Sequence, residues 1–376
     1  MLASADGEVD ASQSRMKIVH VETGRHFYGG AQQVIWLLRG LATRGVDSVL
    51  VCPPGSAIDR HARDIGVRVV NIDCAGEHDF GFAVRLHSLL RREKPDILHC
   101  HSRRGADFPG GYAALTSRTP AILTRRVDSA ESPSGAAIRY WPFKKVVAIS
   151  EHVATVLRAS RVSKRKLSTI RSAVDVDAVR TRVDRSVLHD LFGISVHGFA
   201  IAVVGQLIQR KGHRFLLDVL PGLLAEHPGI RAVFFGTGKA EAQLRALTAK
   251  LGLTSAVHFA GFRDDLDDYL AAFDVLVHPA EKEGLGVAML KAAAAGLPVV
   301  AFDNAGSAEA VVHGETGILV PPGNLVTLQR IIGVLIEEPE FGKQLGAAGR
   351  KHMRDEFSVA SMVESYMQIY AKLLKA

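Results

Sequence analysis

Cysteine is scarce. The 376-residue chain has three, Cys52, Cys74 and Cys100, and none is spaced as a metal ligand pair. That argues against a disulfide scaffold and a cysteine-ligated centre, and it fits a reducing, cytoplasmic setting with buried free thiols. No apolar run approaches the ~20 residues that span a bilayer. Residues Met1–Arg15 lack the basic n-region and apolar h-region of a signal peptide. They read as a disordered tail (1–15) ahead of a start near Met16. Acidic charge is thin in the first half. Up to residue 200 there are 29 Lys and Arg against 20 Asp and Glu, and the remainder has 17 against 19. The excess gathers between His101 and Arg171, in Arg103, Arg104, Lys144, Lys145 and their neighbours. A basic half suggests an anionic partner, with an ordinary solvated face as the alternative.

What is present is a rhythm. Short β-branched runs at Met16–Val21, Ser48–Cys52, Val67–Ile72, Ile97–Cys100, Ala121–Thr124 and Val146–Ile149 alternate with helical spacing at Ala31–Thr43, Phe82–Arg92 and Glu151–Arg158. The rhythm stalls in the charged stretch Ser172–Gly198, which reads as a linker with a short helix. It restarts at Phe199–Val204 and continues through Gly317–Val320. The class is α/β, with two doubly wound parallel-sheet domains, each Rossmann-like, facing a cleft. Ligands of such sheets bind beyond the carboxyl ends of the strands, so the loops there are where function is sought.

Four loops could meet phosphate or sugar. Gly29 and Gly30 stand before the first helix, where backbone N–H groups can approach an anion; no Gly-Lys-Ser/Thr follows, so this is no Walker A loop. "GQLIQRKGHRF" (Gly205–Phe215) places Arg210 and Lys211 before a helix, suited to clamping a diphosphate. "FFGTGKAE" lacks the third glycine of a dinucleotide fingerprint, because Glu241 stands there. "EKEGLGVAMLKAAAAGLPVVA" (Glu281–Ala301) sets Glu283 before Gly284, Leu285 and Gly286 at a helix start. Its amides can receive hydroxyls or phosphate oxygens, and Glu283 can accept from a polyol or simply cap the helix.

In this order, with "GGAQQ", "ILHCHS", "VVAISEHV", "VGQLIQRKGH", "FFGTGKAEAQL" and "VHFAGFRDDL", the loops resemble family 4 of the retaining, sugar-nucleotide-dependent glycosyltransferases, of lipopolysaccharide-core or cell-surface polysaccharide type. The resemblance runs over nearly the whole chain from Met16. It implies the GT-B fold: an acceptor-side domain at 16–178, a nucleotide-sugar-binding domain at 179–357, and a final helix at 358–376 crossing back. It implies catalytic roles for His101, Lys211 and Glu283. Donor contacts would come from Gly29, Gly30, Gln206, Arg210, Lys211, Gly261, Phe262, Glu283, Gly284, Leu285, Gly286 and Lys291. Arg103, Arg104, Lys144 and Lys145 would face the acceptor or a membrane.

Two positions depart from the family's habit. Gln206 stands where an arginine is common, and Arg210 is the candidate replacement. Lys291 stands where a ribose-holding glutamate is common, so a donated hydrogen bond to ribose or an α-phosphate is expected instead. Asp175-Val176-Asp177 matches a metal-binding D-x-D, yet falls in the interdomain stretch and reads as structural. His20, His258 and His278 read as core or strand-end residues. Trp141 and Phe143 read equally as membrane contacts or as core.

The expectations are then a nucleoside-diphosphate-sugar donor, an anionic glycolipid or polysaccharide acceptor, contact with inner-membrane anionic lipid from the cytoplasmic side, no cofactor, no metal and no nucleic acid. A GT-B sugar-nucleotide epimerase or hydrolase, or a non-catalytic sugar-nucleotide-binding protein, fits the same loops.

Overall fold

The computed structural model describes residues 15–101, 106–179 and 181–375. Most of the expected tail, and both Arg103 and Arg104, lie outside these residues.

Seven strands build the first sheet: β1 (Lys17–Val21), β2 (Asp47–Cys52), β3 (Arg68–Asn71), β4 (Ile97–Cys100), β5 (Ala121–Arg125), β6 (Lys145–Ala148) and β7 (Leu167–Thr169). Their spatial order is β3-β2-β1-β4-β5-β6-β7, all parallel. Six build the second: β8 (Ala200–Val204), β9 (Arg231–Phe235), β10 (Val257–Gly261), β11 (Val275–His278), β12 (Val299–Phe302) and β13 (Ile318–Val320). Their order is β10-β9-β8-β11-β12-β13, again parallel. β1, β4, β8 and β11 are apolar runs because helices cover both faces. Val19, Leu98, Ile201 and Val277 are fully buried.

Strand order reverses direction between β1 and β4, and between β8 and β11. A doubly wound sheet leaves a crevice at such a switch point. The loops after β1, β4, β8 and β11 therefore hold most of the sequence-predicted site.

The sequence reading missed several elements. β7 is three half-buried residues with little pattern. The helix Phe108–Ser117 carries Pro109, Gly110 and Gly111, which a propensity reading rejects. The glycines are wanted there because the helix lies close to its neighbours: a Cβ on Gly110 would stand 2.8 Å from the Cys100 sulfur.

The last helix, Val359–Leu374, starts at Ser358, whose hydroxyl accepts from the Ser361 amide at 3.2 Å. It packs on the first domain's helix Gly29–Ala42, with Val363 against Gly40. Tyr366 and Tyr370 are buried there and bond to Thr124 Oγ1 (2.9 Å) and His99 Nδ1 (2.7 Å). Nearby, the Val174 amide donates to the Phe357 carbonyl at 2.8 Å. The chain thus passes twice between domains at one place.

Candidate active site

The two switch points face each other across short contacts. The Ser150 hydroxyl donates to the Gly284 carbonyl at 2.7 Å while accepting from the Val153 amide at 3.0 Å. Glu309 accepts from the amides of Glu151 (2.9 Å) and His152 (2.5 Å). A carboxylate of the second domain thus sits on the N-terminus of the first domain's helix Glu151–Ala159, where the helix dipole favours it. Phe262, 46% exposed, meets Tyr28 edge-on at 6.0 Å between ring centroids. A Cβ on Gly29 would lie 2.9 Å from that of Val287, so glycine there permits this closeness.

Lys211 ends a single 3-10 turn, Gln209–Lys211. Gly212 follows at φ 70°, where a Cβ would collide with the Pro279 carbonyl. That approach brings the loop after β8 onto the loop after β11 and sets Lys211 Nζ against Glu283 Oε2. Glu283 also accepts from His278 Nε2 (3.0 Å) and from the Gly284 amide (3.1 Å). Burial alone would raise the Glu283 pKa, but Lys211 and His278 outweigh it and hold the carboxyl well below the usual range. Burial pushes His278 down, so its ring is neutral and donates to the carboxylate. Lysine has three donors, so two remain for a ligand. Leu285 is buried, and the helix Val287–Ala294 begins after Gly286 with no side-chain cap.

His101 is buried at the end of β4, its amide on the Val21 carbonyl at 2.9 Å. Its Nε2 lies 2.9 Å from His20 Nδ1, and its Nδ1 is unpartnered. His20 is pushed down to about 3 by burial. His99 and His101 are depressed by burial first, then by neighbouring rings and Arg126. The three rings bring possible ligand atoms within 4.8 Å of one another. They suit a metal poorly: His99 uses both nitrogens on the Tyr370 and Thr124 hydroxyls, 2.7 Å each, and the Arg126 cation is close. The cluster instead ties the last helix to β4.

The remaining candidates divide. Arg210 donates to the Lys282 carbonyl at 3.2 Å and is exposed, so its guanidinium is directed to the Glu281–Glu283 loop. Gln206 is half-buried beside the loop after β9, and a Cβ on Gly236 would lie 3.5 Å from its amide. Gly261 ends β10 at φ 68°. Lys291 does not stand free for a ligand: its Nζ pairs with Asp267 Oδ2 at 2.7 Å, and Asp267 Oδ1 is buried without a partner. Gly30 borders the Arg126 side chain, with a Cβ placed 3.3 Å from Cδ. Lys145 opens β6, at the end of the sheet away from the cleft, and its Nζ donates to the Arg165 carbonyl; Lys144 precedes it and is exposed. Of the paired aromatics, Phe143 is core and Trp141 is 63% exposed. Asp175 pairs with Arg39 and Asp177 approaches Arg354 at 3.7 Å, so the D-x-D carboxylates serve different cations.

Sequence reasoning missed Arg126, Ser150, His278 as a Glu283 partner, Asp267 and Glu309. His278 had a signal, since it closes β11 at a switch point. Ser150 had one too, as the N-cap of "SEHV".

Comparison with known proteins decides the family. The model for Glycosyltransferase Family 4 matches residues 28–178, and that for Glycosyl transferases group 1 matches residues 191–352. The chain belongs to the family 4-like glycosyltransferases of the GT-B fold. Similar proteins include the lipopolysaccharide core biosynthesis glycosyltransferase LpsE of Rhizobium meliloti (strain 1021), 27% identical over 369 residues and covering 95% of this chain and 99% of that one. The putative glycosyltransferase EpsD of Bacillus subtilis (strain 168) is 28% identical over 302 residues, 76% of this chain and 79% of that one. Anabaena HepE, solved in complex with UDP-glucose, superposes with a TM-score of 0.86 at 20% identity, covering 95% of this chain and 100% of HepE. That likeness is one of fold. In this glycosyltransferase both matched segments meet at the cleft, with Ser150 from one and Gly284 from the other in direct contact. Among the described residues no helix is long and apolar enough to cross a membrane.

Proposed function

We propose that this glycosyltransferase moves a sugar from a nucleoside-diphosphate-sugar donor, with retention of configuration, to an anionic glycolipid or polysaccharide acceptor of the cell envelope. The observation that carries the reading is the Lys211–Glu283–His278 cluster, placed beside an uncapped helix N-terminus inside the cleft. As the donor C–O bond stretches, negative charge grows on the diphosphate. Lys211 and the amides after Gly286 lie where they can meet it, in a site that excludes much of the solvent. Glu283 keeps Lys211 oriented and offers acceptor oxygens to sugar hydroxyls. The acceptor hydroxyl attacks on the leaving-group face and passes its proton to the departing phosphate oxygen, so the chemistry runs without a metal ion.

The name of LpsE, a lipopolysaccharide core biosynthesis glycosyltransferase, supports an envelope acceptor. Exposed Trp141 and Ile138, near exposed Lys144 on the first domain, support peripheral contact with anionic lipid from the cytoplasmic side. The test is a thermal-shift panel of UDP-, GDP- and ADP-sugars, followed by NMR of the product's anomeric proton with EDTA present. One nucleotide series raising the melting temperature, with transfer and retained configuration, is the expected result. Donor hydrolysis without transfer to any envelope acceptor would favour a hydrolase and sink the reading.

A further inference from the structure

Arg125 and Arg126 stand side by side where β5 meets the cleft, and their surroundings differ. Arg125 is buried and paired, although its Nη1 meets Glu131 as an ion pair without a formed hydrogen bond. It donates to the carbonyls of Val127 (3.1 Å) and Ser129 (2.8 Å) and pairs with Glu131 at 2.8 Å, which holds the following loop. Arg126, one residue on, has a different environment. Among the described residues it makes no hydrogen bond and no ion pair, and its buried Nε has no partner. The acid whose field it feels, Glu22, accepts from the Gly24 amide at 2.8 Å. Its other neighbours are neutral: Tyr366 and the depressed His99 and His101 rings.

A half-buried guanidinium stays charged, and with its buried Nε unbonded its desolvation is best offset by an anion. The place where that anion belongs is defined. The Arg126 Cδ packs on Gly30 in the first turn of the helix Gly29–Ala42, which carries no side-chain cap and no acidic residue there. Its carbonyl faces Gly284, where a Cβ would come within 3.6 Å. Lys211, across the cleft, pairs with Glu283 and serves the second domain's side, where its two remaining donors face the ligand.

We propose that Arg126 is a substrate-binding residue that holds an oxyanion, phosphate or carboxylate, from the first domain's side of the cleft. The inference deepens the function proposed above and rests on it. The planar fork of donors matches two oxygens of such a group. A ligand offering only hydroxyls at this point leaves the charge uncompensated and is disfavoured. The oxyanion belongs either to the donor's diphosphate or to the acceptor.

The test uses the full chain with Arg126→Met and Arg126→Lys, titrated by calorimetry with UDP, uridine, pyrophosphate, and inorganic phosphate added to UDP-saturated protein. Arg126→Met is expected to melt at or above the wild-type temperature without ligand, because an unpaired charge is removed. It is expected to lose about tenfold or more in affinity for an oxyanion, and Arg126→Lys to keep part of it. Loss for UDP and pyrophosphate with uridine unchanged assigns the donor diphosphate. Loss for phosphate on UDP-saturated protein, with UDP unchanged, assigns the acceptor. Wild-type affinity of Arg126→Met for all of these, or a lower melting temperature with no change in binding, overturns the proposal. If no nucleoside diphosphate binds the wild type, the functional reading fails separately, and the pyrophosphate arm still decides Arg126.

Discussion

Lys211→Ala tests stability and catalysis at once. From sequence alone the substitution is expected to leave folding nearly unchanged. The geometry says otherwise, because Lys211 is the charged partner of a carboxylate whose side chain is 11% exposed. Two unit charges ~4 Å apart attract by about 4 kcal/mol at an effective dielectric of 20, and desolvation offsets part of that. Removing Lys211 leaves Glu283 with His278 and one amide. The expected cost is about 2–3 kcal/mol, below the ~3–5 kcal/mol of a fully buried broken pair, because the cleft admits water. For a domain of this size that lowers melting by roughly 4–12 °C.

The assay is calorimetric melting of wild type, Lys211→Ala, Glu283→Gln and the double variant, with an expected coupling of about 1–3 kcal/mol. The pH dependence gives a second readout. Glu283 has its folded pKa depressed below 4.5, so its contribution is full above that value and is lost as pH falls toward the folded value. Without Lys211 the folded pKa rises and the acid slope flattens. Turnover, measured well below the melting temperature, is expected to fall by roughly 10²–10³. A Lys211→Ala protein with wild-type melting and an additive double variant refutes the pairing argument; wild-type turnover removes Lys211 from the chemistry.

Three further outcomes follow from the same contacts. Lys291→Glu, which the family habit suggests would tighten donor binding, instead sets a second carboxylate against Asp267; melting is expected to fall by an amount worth about 0.5–1 kcal/mol, discounted for an aspartate side chain 38% exposed, and titration is expected to show weaker donor binding. Tighter binding in that variant would show that the pair yields to the ligand. His20, His99, His101, His213 and His278 are all depressed below 6.5 by burial, so the unfolded chain binds more protons; stability is lost as pH falls below 6.5, by up to about 1.4 kcal/mol per pH unit per proton. A flat melting temperature between pH 7 and 5 contradicts those neutral rings. Gly29→Ala pushes a Cβ against Val287 and is expected to open the domains, seen as a larger radius of gyration by X-ray scattering, with Val287→Gly, which removes the opposing Cβ, restoring the closed value.

The strands were legible because a parallel sheet covered on both faces writes itself as apolar runs, and Ile97–Cys100 and the body of β1 fall where periodicity put them. Helices with glycine or proline inside, such as Phe108–Ser117, were not, since close packing there overrides propensity. The site was legible in a similar, partial way. Glycines and charges after strands located Lys211, Glu283 and the Gly284–Gly286 turn, because loops at carboxyl ends converge whatever their side chains do. Pairing was hidden, because it depends on side chains brought together from distant segments. Lys291 read as free until Asp267, 24 residues earlier, was placed beside it. Arg126 read as one of many basic residues in a +9 half, and nothing in "LTRRVD" tells which arginine is satisfied. Only the structure separates Arg125, engaged by Val127, Ser129 and Glu131, from a neighbour with no ion pair among the described residues. A charge excess in a sequence counts cations; how many remain uncommitted in the fold determines what such a cleft can bind.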